Sequence, residues 1–448
     1  MNVERLAEDI FQDILSQGGY VYIVGGSVRD YVLGLDMNHD VDVEVYHLTY
    51  QQLYDILSHH GHVNTFGKSF AIMQVDTLPH YDFALPRKEK KTGEKHQDFQ
   101  IDINSELSIE KAIQRRDLTM NALMYDYQKK EIIDLCHGID DINHKVIRCV
   151  NKQTFQEDPL RVLRIAQFAA RFEMDVEEET KQLCQQMVQN HLLDYLSIER
   201  VYQEYCKILS SSQPSIGFQF LREIGALPPY LKSLITTPQR LDYHPEGNVW
   251  NHTMLVIDIA ALARDKVDEP LSFMWACLLH DIGKPLVTTN EGHAPKHNEA
   301  GLEVFKHVDI IQSKKQREYI ETMIMYHMHL MNMSRNHSRD IKYLKLLKNI
   351  ENKISLNDLI WISCCDKLGR GRVVYEQYHD FWVFIEDKIN RLGDKAPQSI
   401  VNGYDLIQNG FIQNKQMKEI LDEAYDLQLQ GLDKEKILRS LKKKYEKG

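Results

Sequence analysis

A chain of 448 residues with 54 basic and 65 acidic side chains, net −11 with histidine neutral, is too long for one hydrophobic core, and roughly two to four domains are expected. The acidic balance excludes a protein that coats nucleic acid indiscriminately and leaves only local basic patches, "RKEKKTGEKH" at 87–96 and "LKKKYEKG" at the end. At 43% apolar residues it reads as globular; no apolar run spans a bilayer, and seven cysteines without CxxC spacing read as reduced thiols, not as a disulfide framework or zinc finger.

In chain order, "MNVERLAEDIFQDILSQGG" lacks the basic and apolar regions of a secretory signal, so a cytoplasmic protein is expected. To about residue 140, strand and helix signals mix. "YVYIVGG", "HDVDVEVYHL", "FAIMQVDT" and "HYDFALP" read as strands, and "LMYDYQKKEIIDL" as a hairpin turning at its lysines. From "EDPLRVLRIAQFAARF" onward apolar residues recur at three- and four-residue spacing, which predicts helices. Breaks fall at "SSSQPS", "TTPQRLDYHPEGN" and "RLGDKAPQSIVNG". The predicted fold class is α+β: a small mixed α/β head followed by an all-α body.

Within the head, "DVDVE" places Asp40, Asp42 and Glu44 on one face of a predicted strand and Val41, Val43 and Val45 on the other. Acids side by side repel unless a counter-charge is present. Two aspartates two residues apart can bracket a pair of magnesium ions for in-line nucleotidyl transfer; a solvated amphipathic strand is the bland alternative. Upstream, "VGGSVRD" follows an apolar strand and opens a helix. Gly25 and Gly26 let the backbone approach a phosphate, the helix N-terminus favours anions, and Arg29 adds a cation. The pattern is neither GxGxxG nor GxxxxGK[ST].

"GGSVRDYVLG" followed by "DVD" resembles the class II tRNA nucleotidyltransferases, the CCA-adding enzymes and bacterial poly(A) polymerases. "RRDLTMNALMYD" (115–126) and "EDPLRVLR" (157–164) extend the resemblance in order and spacing over about the first 170 residues. It implies a polymerase-β-like head in which Asp40 and Asp42 hold Mg2+, with Asp82 of "YDFALPR" as a third carboxylate on a neighbouring strand. Arg116, Asp117 and Asn121 are implied contacts to triphosphate and ribose. If the segment is helical, Asp117 and Asn121 share a face one turn apart.

In "EDPLRVLR", Asp158 before Pro159 reads as a helix N-cap with proline at N1. Asp158 and Arg161 also project together. A carboxylate accepts from an exocyclic amine and a guanidinium donates to a ring nitrogen, so the pair suits C and A and rejects U and G without a template. The resemblance assigns them that role. It adds Arg164 as support, and Gln167 stands where many relatives carry a further arginine. The basic stretch 87–96 falls where relatives have a region that helps the pocket switch from C to A.

The body carries a second pattern. His252, the adjacent His280 and Asp281 of "LLHDIGKP", and Asp366 of "CCDKLGRGR" resemble the H…HD…D signature of metal-dependent HD phosphohydrolases, with His297 and His327 where dinuclear members add ligands. Imidazole with carboxylate suits Mn2+, Fe2+, Co2+ or Ni2+, or Mg2+ at a weaker site. The resemblance implies a phosphatase or 2′,3′-cyclic phosphodiesterase; a degenerate HD scaffold is the alternative.

The expected organisation is a head over 1–143, a helical neck for nucleotide selection and RNA binding over 144–235, an HD domain over 236–375 and a helical tail over 376–448 that contacts the tRNA acceptor arm. The expected function is CCA addition to tRNA from CTP and ATP with an HD hydrolase activity, and no membrane or protein partner. CC-only, A-only or poly(A) addition share the same motifs. From another class, the chain would be an HD phosphohydrolase whose head merely binds RNA.

Overall fold

The structure, a computed structural model, describes residues 1–448 except 2, 36–39, 67–71, 92–98, 104–106, 371–374 and 446–448. Residues 92–96, half of the basic stretch 87–96, and the end of the C-terminal basic run therefore lie outside the described residues. The chain divides into two compact units, Met1–Pro228 and Pro229–Gly448.

The first unit is built on strands β1 (Tyr20–Val24), β2 (Val41–Tyr46), β3 (Val63–Phe66), β4 (Ile72–Val75), β5 (Leu78–Ala84), β6 (Arg87–Lys91), β7 (Phe99–Ile103), β8 (Met124–Asp126) and β9 (Glu131–Ile133). Seven of them form one sheet in the order β3-β4-β5-β2-β1-β8-β9, while β6 and β7 pair with each other. β2 and β5 run parallel, and the other neighbouring pairs in the sheet are antiparallel, including the predicted β8–β9 hairpin. Alternation along β2 works as a strand requires: Val41, Val43 and Val45 are buried, and they share the core with Ala7, Ile10, Phe11 and Ile14 of the amphipathic helix Arg5–Ser16. Phe11 meets the ring edges of Tyr81, Phe83 and Tyr127.

After the sheet, helix Leu160–Phe172 packs against helices Ile198–Leu209 and Pro214–Glu223. Gly217 permits the second contact, because a Cβ there would stand 2.7 Å from the carbonyl oxygen of Ala166. The second unit is helical. Helices Val249–Ala263 and Pro270–Leu279 are apolar nearly all round and lie at its centre, with Trp250, Trp275 and Phe273 fully buried. A satellite core of Val401, Leu406, Ile420, Ala424, Ile437 and Leu441 joins the last helices. No described helix is long and apolar enough to cross a membrane.

Candidate functional site

Register assembles the first site. Val24 at the end of β1 pairs with Asp42 of β2, and Asp42 pairs in turn with Asp82 of β5. The strand begins at Val41, so Asp40 lies just before it and not within it, its carbonyl accepting from Ser27 Oγ at 2.9 Å. Asp42 is open to solvent at its tip yet surrounded by protein. That desolvation pushes its carboxyl up, as do Asp82, Glu44 and Asp40, against the pull of Arg116. Burial, with Asp40 adding to it, likewise raises Asp82, whose Oδ1 accepts from Gln74 Nε2 at 3.0 Å. Carboxylates that disfavour one another's ionisation are a donor set suited to divalent cations.

Glu44 differs from its two neighbours. It is buried, and its Oε1 accepts from Arg115 and Arg116, both at 2.8 Å, while Oε2 accepts from the Tyr46 hydroxyl at 3.2 Å. Arginine, not metal, is its counter-charge. At Gly25, φ is +72°, a backbone conformation that favours glycine, and a Cβ would stand 3.3 Å from Arg116 Nη1 and 3.5 Å from Asp42 Oδ2, in contact with both. A cavity of about 330 Å³ is lined by Gly25, Gly26, Arg29, Asp40, Asp42, Arg116, Asp117, Asn121 and Arg164. A second, of about 230 Å³, is lined by Asp42, Glu44, Asp82, Arg115 and Arg116. Asp42 and Arg116 belong to both.

Arg29 is more committed than a free phosphate-binding cation. Burial lowers its pKa; it donates to Asp30 Oδ1 at 2.8 Å and Asn121 Oδ1 at 2.6 Å, and it packs on Phe168 and Phe172. Asn121 Nδ2 donates to Asp117 Oδ1 at 3.1 Å, and Arg164 Nε to Asp117 Oδ2 at 2.7 Å. Burial alone would raise the Asp117 carboxyl, but Arg164 and Asn121 outweigh it and hold it below the ordinary range. The helical reading of this segment is corrected. The helix is only Ile109–Ile113, Leu118 bridges Cys149, and Asn121 ends a short 3-10 turn. Asp117 and Asn121 meet by direct hydrogen bond instead.

Helix Leu160–Phe172 starts one residue later than expected, with Pro159 at its cap position, and the Asp158 carboxylate still accepts from the Leu160 N–H at 3.1 Å. Arg161 donates through Nη1 to the Thr154 carbonyl and through Nη2 to the Arg115 carbonyl, both at 2.7 Å. Asp158 receives Arg200. Gln167 is buried.

In the second unit all six predicted ligands converge, and all are buried. Asp281 stands among them. Its Oδ2 lies 3.1 Å from His280 Nε2 and 3.8 Å from His252 Nε2; its Oδ1 lies 3.3 Å from His297 Nε2 and 3.9 Å from His327 Nε2. Asp366 Oδ1 is 3.0 Å from His252 Nε2. The Nδ1 atoms of His280, His297 and His327 face the carbonyls of Cys277, Ala294 and Ile324 at 2.7, 2.9 and 2.9 Å, which directs each Nε2 lone pair to the centre. Burial, then His280 and His297, bring His327 down to about 3, so it is a neutral imidazole. His280 Nε2 and Asp281 Oδ1 are buried without a hydrogen-bond partner among the described residues, and Asp281 Oδ2 pairs with Lys284 Nζ at 2.6 Å. Such orphaned donors fit a bound cation.

Several partners escaped the sequence reading. Glu246 Oε1 lies 2.9 Å from His252 Nδ1 and 2.8 Å from His244 Nδ1. Burial opposes its charge, yet the two histidines bring it down to about 2. Lys284 Nζ lies 2.6 Å from Asp281 and donates to Gln239 Oε1 at 2.7 Å. His244, Lys284, Gln239, Arg370 and Asp366 line a cavity of about 180 Å³ beside the cluster. The "HPEG" acid sat in a segment that reads as a break; its placement between two histidines in sequence was the available signal.

Comparison with known proteins gives three successive matches: residues 21–148 to "Poly A polymerase head domain", 173–236 to "Probable RNA and SrmB- binding site of polymerase A", and 249–360 to "HD domain". The Multifunctional CCA protein of Methylobacillus flagellatus is 36% identical over 370 residues, 80% of this chain and 85% of that protein. That of Pasteurella multocida is 33% identical over 425 residues, 90% and 94% of the two chains. Among solved structures, the Bacillus stearothermophilus CCA-adding enzyme in complex with CTP has a similar fold, with TM-score 0.66 at 20% identity over 99% of each chain. The Thermotoga maritima CCA-adding enzyme complexed with tRNA_CCA has TM-score 0.60 at 20% identity, over 98% of this chain and 95% of that one.

Proposed function

The chain belongs to the family of multifunctional CCA proteins, and from that premise we propose that its first unit adds C, C and A to tRNA 3′ ends from CTP and ATP while its second hydrolyses phosphoesters. The observation that carries the first half is the Asp42–Asp82 register beside Arg116 and the glycine turn. The triphosphate enters where the Gly25–Gly26 backbone leaves room, with Arg116 and Arg164 as its cations. Asp40, Asp42 and Asp82 hold the divalent ions. Bound there, such ions would supply the activation of the RNA 3′-hydroxyl and the neutralisation of charge on the transferred phosphate and departing pyrophosphate. Asp158 accepts from the exocyclic amine of C or A. Arg161 stays a donor toward the base, since each of its terminal nitrogens keeps a second hydrogen beyond the one given to a carbonyl.

In the second unit, His252, His280, Asp281, His297, His327 and Asp366 hold a divalent ion, with transition metals preferred by the imidazole-rich set. When bound there, such an ion would supply a water of lowered pKa for attack on phosphorus. The protein's part is to fix the imidazoles through carbonyls and Glu246, and to set Lys284 and Arg370 at the cavity wall for the phosphoryl oxygens. The test offers three tRNA transcripts, ending before CCA, after C and after CC, with CTP alone, ATP alone and both. Stepwise C, C, A is expected. Addition of only C, only A, or an A tail assigns a partial or poly(A)-adding enzyme; no addition leaves the HD hydrolase as the working part.

A further inference from the structure

Gln239 lies in a stretch that reads in the sequence only as a break, yet its backbone and its side chain are both fixed. Its N–H donates to the Gly247 carbonyl at 3.0 Å, Pro238 bridges Asn248, and the Val249 N–H donates to the Thr237 carbonyl at 3.1 Å. This short antiparallel pairing leads directly into the helix that carries His252. From the other side Gly292 comes close: φ there is +77°, and a Cβ would stand 2.9 Å from the Arg240 nitrogen and 3.1 Å from the Gln239 carbonyl carbon.

The Gln239 side chain is buried, with the residue 7% exposed, and its Oε1 accepts from Lys284 Nζ at 2.7 Å. An ammonium only donates, so the carboxamide oxygen has to face Lys284 and the nitrogen has to face away. That nitrogen, Nε2, is buried with no hydrogen-bond partner among the described residues. Arg370 Nε is in the same condition, and both residues line the cavity of about 180 Å³ beside the histidine cluster. Lys284, on the same wall, directs two of its three hydrogens to Gln239 and to Asp281 Oδ2, 2.6 Å away. The unfilled capacity of these three side chains is all donor. Buried donors left unmade are costly, so donors around one cavity point to a ligand that only accepts, with several oxygens close together. A terminal phosphoryl group has that form.

We propose that Gln239 binds substrate in the hydrolytic site: its Nε2 donates to a non-bridging oxygen of the phosphoryl group at an RNA 3′ end, while its Oε1 keeps Lys284 against Asp281. The inference deepens the phosphohydrolase reading given above and rests on it. The two ends of one carboxamide have different tasks, and a carboxylate of the same length separates them. It still accepts from Lys284, but it cannot donate to phosphate and its charge opposes the ligand's.

The test uses the full-length, metal-loaded protein and its Gln239→Glu and Gln239→Met variants. Inorganic phosphate is titrated by calorimetry, phosphate release is followed from a 3′-phosphorylated oligoribonucleotide, and metal content and Tm are recorded for each protein. Gln239→Met is expected to weaken phosphate binding about tenfold and to raise KM for the oligonucleotide by a similar factor. Gln239→Glu, with metal content and Tm at the wild-type level, is expected to weaken both about a hundredfold. A residue that merely held Lys284 would tolerate glutamate, so phosphate affinity and KM within about twofold of wild type in Gln239→Glu would overturn the proposal. If the wild-type protein releases no phosphate, the hydrolase reading fails first, and calorimetry still decides whether Gln239 takes phosphate. Should Gln239→Met not fold, as thermal melting would reveal, the glutamate variant decides.

Discussion

Asp42 and Asp82 stand opposite each other on parallel strands, two carboxylates held in register at the mouth of one sheet. Burial and neighbouring acids raise both carboxyls above the ordinary value of 3.8. A raised folded value means that stability present at acidic pH is lost as the group ionises on the way to neutrality. In metal-free protein at pH 7, Asp42→Asn is therefore expected to raise Tm by roughly 1–3 °C while lowering nucleotide addition at least about a hundredfold. Parallel melting and addition assays check this; a variant that is both active and less stable would contradict it.

Glu44 holds Arg115 and Arg116 through one buried oxygen. Removing its charge leaves two partly buried guanidiniums without their shared partner. Glu44→Gln is expected to cost about 3 kcal/mol in urea unfolding and to raise the KM for CTP by about tenfold, because Arg116 loses its fixed place beside Asp42.

For the second unit, His280→Ala and Asp281→Asn should remove bound divalent metal, read by elemental analysis, and abolish phosphate release from RNA ends. Glu246→Gln, which touches His252 only through Nδ1, should weaken metal binding by about 10- to 100-fold without abolishing it. No bound metal in the wild-type protein would leave the domain a scaffold, and wild-type metal content in Asp281→Asn would mean that Asp281 does not hold the metal.

Asp340 accepts from Lys388 Nζ at 2.6 Å and from Arg391 at 2.9 and 3.0 Å. Arg391 first, then Lys388, hold its carboxyl well below the ordinary 3.8. Stability from a depressed carboxyl is fully present above 3.8 and is lost as pH falls through the folded value. Asp340→Asn should lower Tm at neutral pH and flatten the acid limb of the Tm-against-pH curve. An unchanged acid limb would mean solvent screening leaves this partly exposed cluster without effect.

The sequence made legible what local periodicity dictates. The period-2 valines of β2 were readable because all three pack into the core, and the β8–β9 hairpin because a turn separates two apolar runs. The histidines and aspartates of the HD pattern were readable as residue types in order; four of the histidines lie around Asp281, and Asp366 stands beside His252. What stayed hidden depends on chain segments brought together from afar. Nothing near "EDPLRVLR" names Arg200, 42 residues on, as the partner of Asp158. Nor does "DVDVE" show that Glu44 answers to Arg115 and Arg116, more than 70 residues away. The RRD segment misled because its helix-like spacing is overridden by the bridge of Leu118 to Cys149.

The first unit is expected to build the CCA end whether or not the HD cluster is intact. One transcript ending at the base before CCA, incubated with CTP and ATP and sequenced at its 3′ end, tests it with three proteins: wild type, Asp40→Ala/Asp42→Ala and His280→Ala. CCA ends are expected from wild type and from His280→Ala, and unextended ends from the double aspartate variant. CCA ends from the double aspartate variant, or none from wild type, would contradict it.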